Sequence, residues 1–275
     1  MTRPPVPDRR KGRIERCAAP RGEGGEGVIY RGDCRTVLPT LPSDSVQLVV
    51  TSPPYNVGQR YGDDGSGDRL PLDEYLAMLS AVLTELLRVL RDGGVLALNL
   101  PPSIRVPDEH RAFPLAGWAE LHLLATHWLL REPLVWSKTQ GDGEPHAATT
   151  TFGAPTNPYL RPTHERVIIA SKGGYRLPGK STAWGIDRYL SVVKDVWRLP
   201  PGRARRGLPL AFPDELVRRL VLLYSCPGDM VLDSFAGTGT VGRVARQHGR
   251  EAWMIEREPS HWPLIQVALS AVPRA

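Results

Sequence analysis

The chain has 275 residues, enough for one large α/β domain or two small ones and for a substantial core without disulfides or metal, and its three cysteines, Cys17, Cys34 and Cys226, include no Cys-x-x-Cys pair of the kind zinc or redox chemistry uses. A net charge of +6, from 35 Lys and Arg against 29 acids, suits an anionic partner, although the excess of arginine over lysine is also what a GC-rich genome produces. No apolar run approaches the roughly 20 residues of a membrane span, and the N-terminus lacks the apolar stretch of a signal peptide, so a soluble, cytoplasmic protein without a membrane partner is expected.

Residues 1–27 are rich in Pro, Arg, Gly and Glu, with too little apolar content to offset the cost of ordering, and read as a mobile basic tail. Val28-Ile29-Tyr30 reads as a short strand and Cys34 to Leu41 as a short helix that Asp33 can cap. Val46 to Val50 is a β-branched apolar run typical of a strand buried on both faces. It leads into Thr51-Ser52-Pro53-Pro54-Tyr55-Asn56, where the two prolines forbid continuation and force a stiff, extended exit from the strand tip. Ligands of open α/β sheets bind just beyond such strand ends. A glycine- and aspartate-rich stretch from Val57 to Leu70 has no apolar periodicity and is suited to closing over a bound group.

From Leu72 to Leu90 apolar residues recur at helical spacing until Asp92-Gly93-Gly94. Val95 to Leu100 reads as another buried strand, followed by a helix from about Phe113 to His127 and a strand from about Leu129 to Ser137. The rhythm breaks over 138–162, resumes with a strand from Glu165 to Ser171, and breaks again over 172–207, where Tyr175, Trp184, Tyr189 and Trp197 lie among basic residues. Such interleaving suits nucleic-acid contact, and equally suits aromatics that pack down an irregular segment. A helix from Pro213 to about Ser225, a strand Asp229–Asp233, a helix to about His248, a strand Glu251–Glu256 and a helix from about Pro259 to Ala271 complete the chain. Strand alternating with helix predicts an α/β, doubly wound, Rossmann-like sheet. Basic clusters at Arg9-Arg10-Lys11, Arg203 with Arg205-Arg206, and Arg218-Arg219 suit phosphate, the last pair equally a solvated helix face.

Gly237-Thr238-Gly239-Thr240-Val241-Gly242 satisfies the dinucleotide fingerprint: it follows a strand, opens a helix, and has Glu256 at the next strand end to accept ribose hydroxyls. A nicotinamide-dependent oxidoreductase is therefore a rival reading. Only 33 residues follow Gly242, too few for a second nucleotide-binding half unless it lies upstream in permuted order.

Taken together, Thr51-Ser52-Pro53-Pro54-Tyr55 and Asp233-Ser234-Phe235-Ala236-Gly237-Thr238-Gly239-Thr240 resemble the two signature loops of the DNA amino-methyltransferases. With the Pro-Pro loop first and the cofactor loop last, the chain resembles their β group, a circularly permuted form of the S-adenosylmethionine-dependent fold. Trp136-Ser137-Lys138, His164-Glu165 and Phe212-Pro213 are lesser matches, and the histidine frequent before that Phe-Pro pair is missing. His164 and Glu165 are assigned no chemistry.

The resemblance implies one catalytic domain over 28–275, with target recognition in 138–162 and 172–207. It implies S-adenosylmethionine as cofactor, held by Asp33, Asp233, Phe235, Ala236, Gly237, Thr238, Gly239, Thr240 and Glu256, and catalysis by Ser52, Pro53, Pro54 and Tyr55. Cys34 is not needed as a nucleophile. Double-stranded DNA is the implied substrate, and a homodimer and a cognate restriction endonuclease are the partners such enzymes take. A Thr-Ser-Pro-Pro-Tyr loop is found mainly in the cytosine-N4 enzymes, which favours that base over adenine N6. An RNA methyltransferase and a non-catalytic DNA-binding module are more distant alternatives.

Overall fold

The computed structural model describes residues 27–59, 68–106, 111–138, 162–174, 186–202 and 212–270. The N-terminal tail, nearly all of the expected recognition segment 138–162, part of the segment 172–207 and the Arg203 to Arg206 cluster lie outside the described residues.

The strands are β1 (Val28–Arg31), β2 (Val46–Thr51), β3 (Leu90–Leu100), β4 (Ile104–Arg105), β5 (Ala112–Phe113), β6 (Trp128–Leu130), β7 (Leu134–Ser137), β8 (His164–Lys172), β9 (Val196–Arg198), β10 (Met230–Asp233) and β11 (Glu251–Glu256). The helices are α1 (Cys34–Val37), α2 (Leu72–Val89), α3 (Leu115–Ala125), α4 (Ile186–Val192), α5 (Asp214–Tyr224), α6 (Thr240–Gln247) and α7 (Trp262–Ser270). Among the described residues nine strands share one sheet in the order β1-β11-β10-β2-β3-β8-β7-β9, with β6 also paired to β8. Strands β1, β11, β10, β2 and β3 are mutually parallel, and β8 runs antiparallel to β3. The expected doubly wound sheet is present, with an antiparallel flank added.

The buried-on-both-faces pattern explains the layers. Along β2 and β3, Val46, Val49, Leu96, Leu98 and Leu100 pack with Leu79, Leu83 and Leu86 of α2 and Leu115 and Leu123 of α3. Leu48, Val50, Val95 and Ala97 face the other way, into Leu216 and Leu220 of α5, Val241 of α6 and Ile265 of α7. Every residue of β2 is buried.

Local details differ from the sequence reading. Helix α2 passes into β3 without a separate loop, and Gly93 (φ +75°) and Gly94 lie within β3 where its register against β2 shifts. A Cβ on Gly94 would stand 2.7 Å from the Arg91 carbonyl, so glycine is required there. The single strand expected over 129–137 is two, β6 and β7, interrupted before Pro133 and both paired to β8. Helix α4 and strand β9 form inside a segment expected to be irregular.

The parallel strands all end at one edge of the sheet. Reversed direction brings the start of β8 to that same edge, with Ser137 of β7 paired to His164. The chain leaves β2 for β3 on one side and β10 for β11 on the other, so the boundary between β2 and β10 is the topological switch point, where open α/β sheets bind their ligands.

Candidate active site

Two loops meet at the switch point. Residues 52–56 leave β2 and residues 234–239 leave β10, and the strands are in direct register, with Leu232 opposite Val49. Thr51 joins them: its hydroxyl donates to Asp233 Oδ1 at 2.8 Å and lies 3.1 Å from Ser234 Oγ. All three side chains are buried, so this contact fixes the two loops relative to each other.

In the first loop the Tyr55 hydroxyl lies 2.9 Å from Ser52 Oγ and donates to Glu165 Oε2 at 2.9 Å. Asn99 Nδ2 donates to the Tyr55 oxygen at 2.7 Å and to Glu165 Oε2. Lys138 Nζ pairs with Glu165 Oε1 and lies 5.2 Å from the centre of the Trp136 ring. The buried Tyr75 of α2 donates to the Pro54 carbonyl at 2.7 Å, locking the proline pair from below. Asn56, at φ +59°, brackets the base of the following segment by accepting from Leu70 N at 2.7 Å and donating to Leu70 O at 2.8 Å. Residues 60–67, in the stretch expected to close over a bound group, lie outside the described residues.

Three of these partners were not expected. Asn99 sits inside the apolar run of β3, where a polar residue that is 1 % exposed is itself a signal of a special role. Glu165 and Lys138 stand in the sequence only as lesser family matches with no chemistry assigned to them; the register of β8 against β3 and β7 brings them to Tyr55.

In the second loop Glu256 Oε2 accepts from Gly237 N at 2.6 Å and Oε1 from Glu258 N at 2.7 Å. Two of the roughly four lone-pair sites of a carboxylate are thereby used and two remain. The buried His261 places Nδ1 3.6 Å from Glu256 Oε1, and the Trp262 indole donates to the Glu256 carbonyl at 3.0 Å. The three glycines of the fingerprint do different things. A Cβ on Gly242 would meet Met254 Sδ at 2.7 Å and one on Gly239 (φ +81°) would meet Ile265 at 3.2 Å, so both serve close packing. Above Gly237 (φ +52°) a Cβ would meet nothing within 4 Å, which leaves a clear approach for a ligand beside Glu256. An open backbone cradle, a partly free carboxylate and the N-terminus of α6 fit an adenosyl amino acid with one ribose and one carboxylate.

Asp233 is 3 % exposed, and its carboxyl is pushed up to about 7, foremost by burial; the Phe235 N–H and Thr51 hydroxyl oppose the shift and the nearby Glu256 charge adds to it. The folded protein therefore holds this proton more tightly than the unfolded chain, whose aspartate titrates near 3.8. Stability associated with this group is complete at low pH and is lost as pH rises from about 4 to about 7. Asp233→Asn is expected to stabilise the cofactor-free protein above pH 7 by on the order of 2–4 kcal/mol, with no gain near pH 4. Denaturant unfolding at several pH values checks this; an equal effect at every pH contradicts it.

Asp33 lies at the end of β1, beside β11, where Gly32 N donates to the Glu256 carbonyl at 2.9 Å. Its carboxylate caps α1 and pairs with Arg35 at 2.7 Å, which holds it below the usual range. Cys34 is buried, its thiol pushed up to about 12 by burial, with the Asp33 charge adding, so it stays protonated. Arg218 and Arg219 both pair with Glu215, and Arg219 also covers Trp197, so this pair works within the fold. Trp197 itself is buried and donates to the Val192 carbonyl at 2.8 Å. Among the described residues no cluster of His, Cys, Asp or Glu is suited to a metal ion, and no helix is long and apolar enough to cross a membrane.

Comparison with known proteins decides between the rival readings of the glycine loop. Residues 46–267 match the DNA methylase family that groups the N6 and N4 enzymes. The chain belongs to this family.

Relatives of this DNA methylase include the type II methyltransferase M.Cfr9I of Citrobacter freundii, 30 % identical, with 85 % of this chain and 84 % of the relative covered. The type II methyltransferase M.BglII of Bacillus subtilis is 29 % identical, covering 89 % and 69 %. Among solved structures, TTHA0409 of Thermus thermophilus, described as a DNA modification methylase and solved with S-adenosyl-L-methionine, is 29 % identical with a TM-score of 0.67, over 88 % of this chain and 94 % of that one. The cytosine-N4-specific PvuII DNA methyltransferase shares the fold at a TM-score of 0.65 and 17 % identity, over 90 % and 94 %. The oxidoreductase reading falls on the family match. Shortage of chain after Gly242 would not have excluded it, because β2 and β3 supply the neighbouring half-sheet from upstream.

Proposed function

We propose that this DNA methyltransferase, with S-adenosylmethionine as donor, modifies the exocyclic N4 amine of a cytosine flipped out of duplex DNA. The observation that carries the reading is the meeting of the Ser52–Tyr55 loop with the Gly237–Glu256 cradle across the Thr51–Asp233 contact. When bound, S-adenosylmethionine supplies a methyl group on a positively charged sulfur, open to attack by a nitrogen lone pair.

Glu256 accepts from the ribose hydroxyls, Gly237 and Ala236 give the backbone room to approach, and Thr238 to Thr240 offer the N-terminus of α6 to the carboxylate. Phe235 packs beside the donor, Asp233 opposes its positive end, and Asp33 borders the adenine side. An amine conjugated with a base ring is a poor nucleophile, and in a duplex its hydrogens are already paired, so the base must leave the stack. Tyr55 offers its ring face to the flipped base. Ser52 Oγ and the Pro53 carbonyl accept from the amine and pull it toward tetrahedral geometry, and the stiffness of the proline pair holds those acceptors in place.

Cytosine is preferred to adenine because the loop carries Ser at its first variable position, where adenine enzymes most often carry Asp. In favour of DNA over RNA stands the family itself. Purified protein with labelled S-adenosylmethionine is expected to transfer label to unmethylated duplex DNA, with none into structured RNA. Label in RNA alone, or in neither, overturns the proposal.

Affinity for the donor should also fall as pH drops below about 7, because Asp233 must release its proton to oppose the positive charge. Asp233→Asn should weaken binding at high pH and flatten that dependence. Calorimetric titration across pH decides it; a wild-type pH dependence retained in the variant contradicts the assignment.

A further inference from the structure

We infer that Glu165 fixes the direction of the hydrogen bonds through Tyr55 and Ser52, so that Ser52 meets the target base as an acceptor and the enzyme selects an amine over a carbonyl. The inference rests on the methylation reading above and deepens it. An ionised carboxylate can only accept hydrogen bonds. Glu165 is 7 % exposed and paired with Lys138, and it takes two donors on Oε2, the Tyr55 hydroxyl at 2.9 Å and Asn99 Nδ2.

From there the directions follow. Tyr55 has one hydrogen, and it goes to Glu165. The phenol oxygen then only accepts, from Asn99 Nδ2 at 2.7 Å and from Ser52 Oγ at 2.9 Å. The second outlet for the Ser52 hydrogen, the Asn99 backbone carbonyl at 3.4 Å, is long and weak, so it is the Tyr55 oxygen that keeps the serine proton inside and leaves the lone pairs of Oγ for a base. Asn99 is oriented by the same carboxylate: its amide nitrogen donates most closely to Tyr55 and Glu165 and lies 3.5 Å from Ser52 Oγ, and its Oδ1 is buried with no donor among the described residues. The cluster is thus rich in acceptors and short of donors. An exocyclic amine, with two N–H groups, complements it. A carbonyl in the same place would set acceptor against acceptor, with a polar group left unpaired.

Glu165 is therefore a positioning residue, acting on the base through Tyr55 and Ser52. Glu165→Gln keeps the shape but introduces an amide donor. That donor can satisfy the Tyr55 oxygen, free the phenol hydrogen for Ser52, and release the serine hydrogen toward the base.

The test uses the full chain and a duplex whose methylated cytosine has been mapped from the wild-type product, beside the same duplex with uracil at that position. Easier flipping of the mispaired uracil affects wild type and variant alike, so the ratio of the two affinities is compared between proteins. Glu165→Gln is expected to lower kcat about 10²-fold, leave S-adenosylmethionine affinity at the wild-type level, and reduce the preference for cytosine over uracil about tenfold. Tyr55→Phe, which leaves the Glu165–Lys138 pair in place, should reduce the preference likewise and decides the matter if Glu165→Gln does not fold. A folded Glu165→Gln with wild-type kcat and preference, or an unchanged preference in Tyr55→Phe, overturns the inference. Failure of the wild-type protein to methylate any DNA would instead remove the methylation reading on which it stands.

Discussion

Glu256→Ala is expected to weaken S-adenosylmethionine binding by about 3 kcal/mol, or on the order of 10²-fold. The carboxylate sits where a strand end meets a glycine cradle, with acceptor capacity left over after it holds Gly237 N and Glu258 N. Hydrogen bonds to a charged acceptor are worth about 1.5–3 kcal/mol each, and two ribose hydroxyls lose their partner together. The substitution also releases the Gly237 and Glu258 amides that shape the cradle, so a fall in thermal stability should accompany the loss. Glu256→Gln, which keeps one acceptor oxygen, should fall between the two. Isothermal titration with the cofactor and its demethylated product reads both effects. Wild-type affinity in Glu256→Ala would mean that the ribose lies elsewhere.

Tyr55→Ala is expected to lower kcat by about 10²–10³-fold while leaving salt-sensitive DNA binding intact. The ring would contribute about 1–3 kcal/mol of stacking to a flipped base, and its hydroxyl is the junction between Ser52, Asn99 and Glu165. Losing both removes the platform under the base and the anchor of the acceptor beside it, and misplacing a reacting group by about 1 Å alone costs about 10²-fold. Binding to duplex DNA is carried mostly by phosphate contacts, to which a neutral ring brings no charge. Single-turnover methyl transfer together with a salt series of DNA affinities separates the two. A variant that loses DNA binding and catalysis in proportion would show that Tyr55 acts elsewhere than on the flipped base.

Both loops were legible in the sequence because each is a local pattern with its own physical logic. A β-branched run that ends in two prolines must leave the sheet stiffly, and a strand followed by spaced glycines must open a cradle at a helix start. The contacts between the loops were not legible. Thr51 and Asp233 are 182 positions apart, and Tyr55 and Glu165 are 110 apart, joined only by strand order and register. Glu165 stands at the start of a strand beside a histidine, where sequence alone offers a loop or strand-start pair more often than a catalytic residue. Asn99 could have been found, since an amide in the middle of an otherwise apolar buried strand calls for a partner. The arginines of α5 show the converse: Arg218 and Arg219 have the spacing of a phosphate patch, yet Glu215 lies one turn before them and takes both. In the antiparallel flank, Pro133 falls at the break between β6 and β7, and that break was missed because apolar residues continue on either side of it.

The most direct measurement of the central claim is the identity of the methylated nucleoside. The protein is expressed in a host without background DNA methylation, the genomic DNA is digested to nucleosides, and the products are identified by mass spectrometry, with Ser52→Ala as the control. The account predicts N4-methylcytosine in the wild-type sample and its loss in the control. N6-methyladenine as the sole product would contradict the base assignment, and an unmodified genome in the presence of active protein would contradict the assignment of DNA as the substrate.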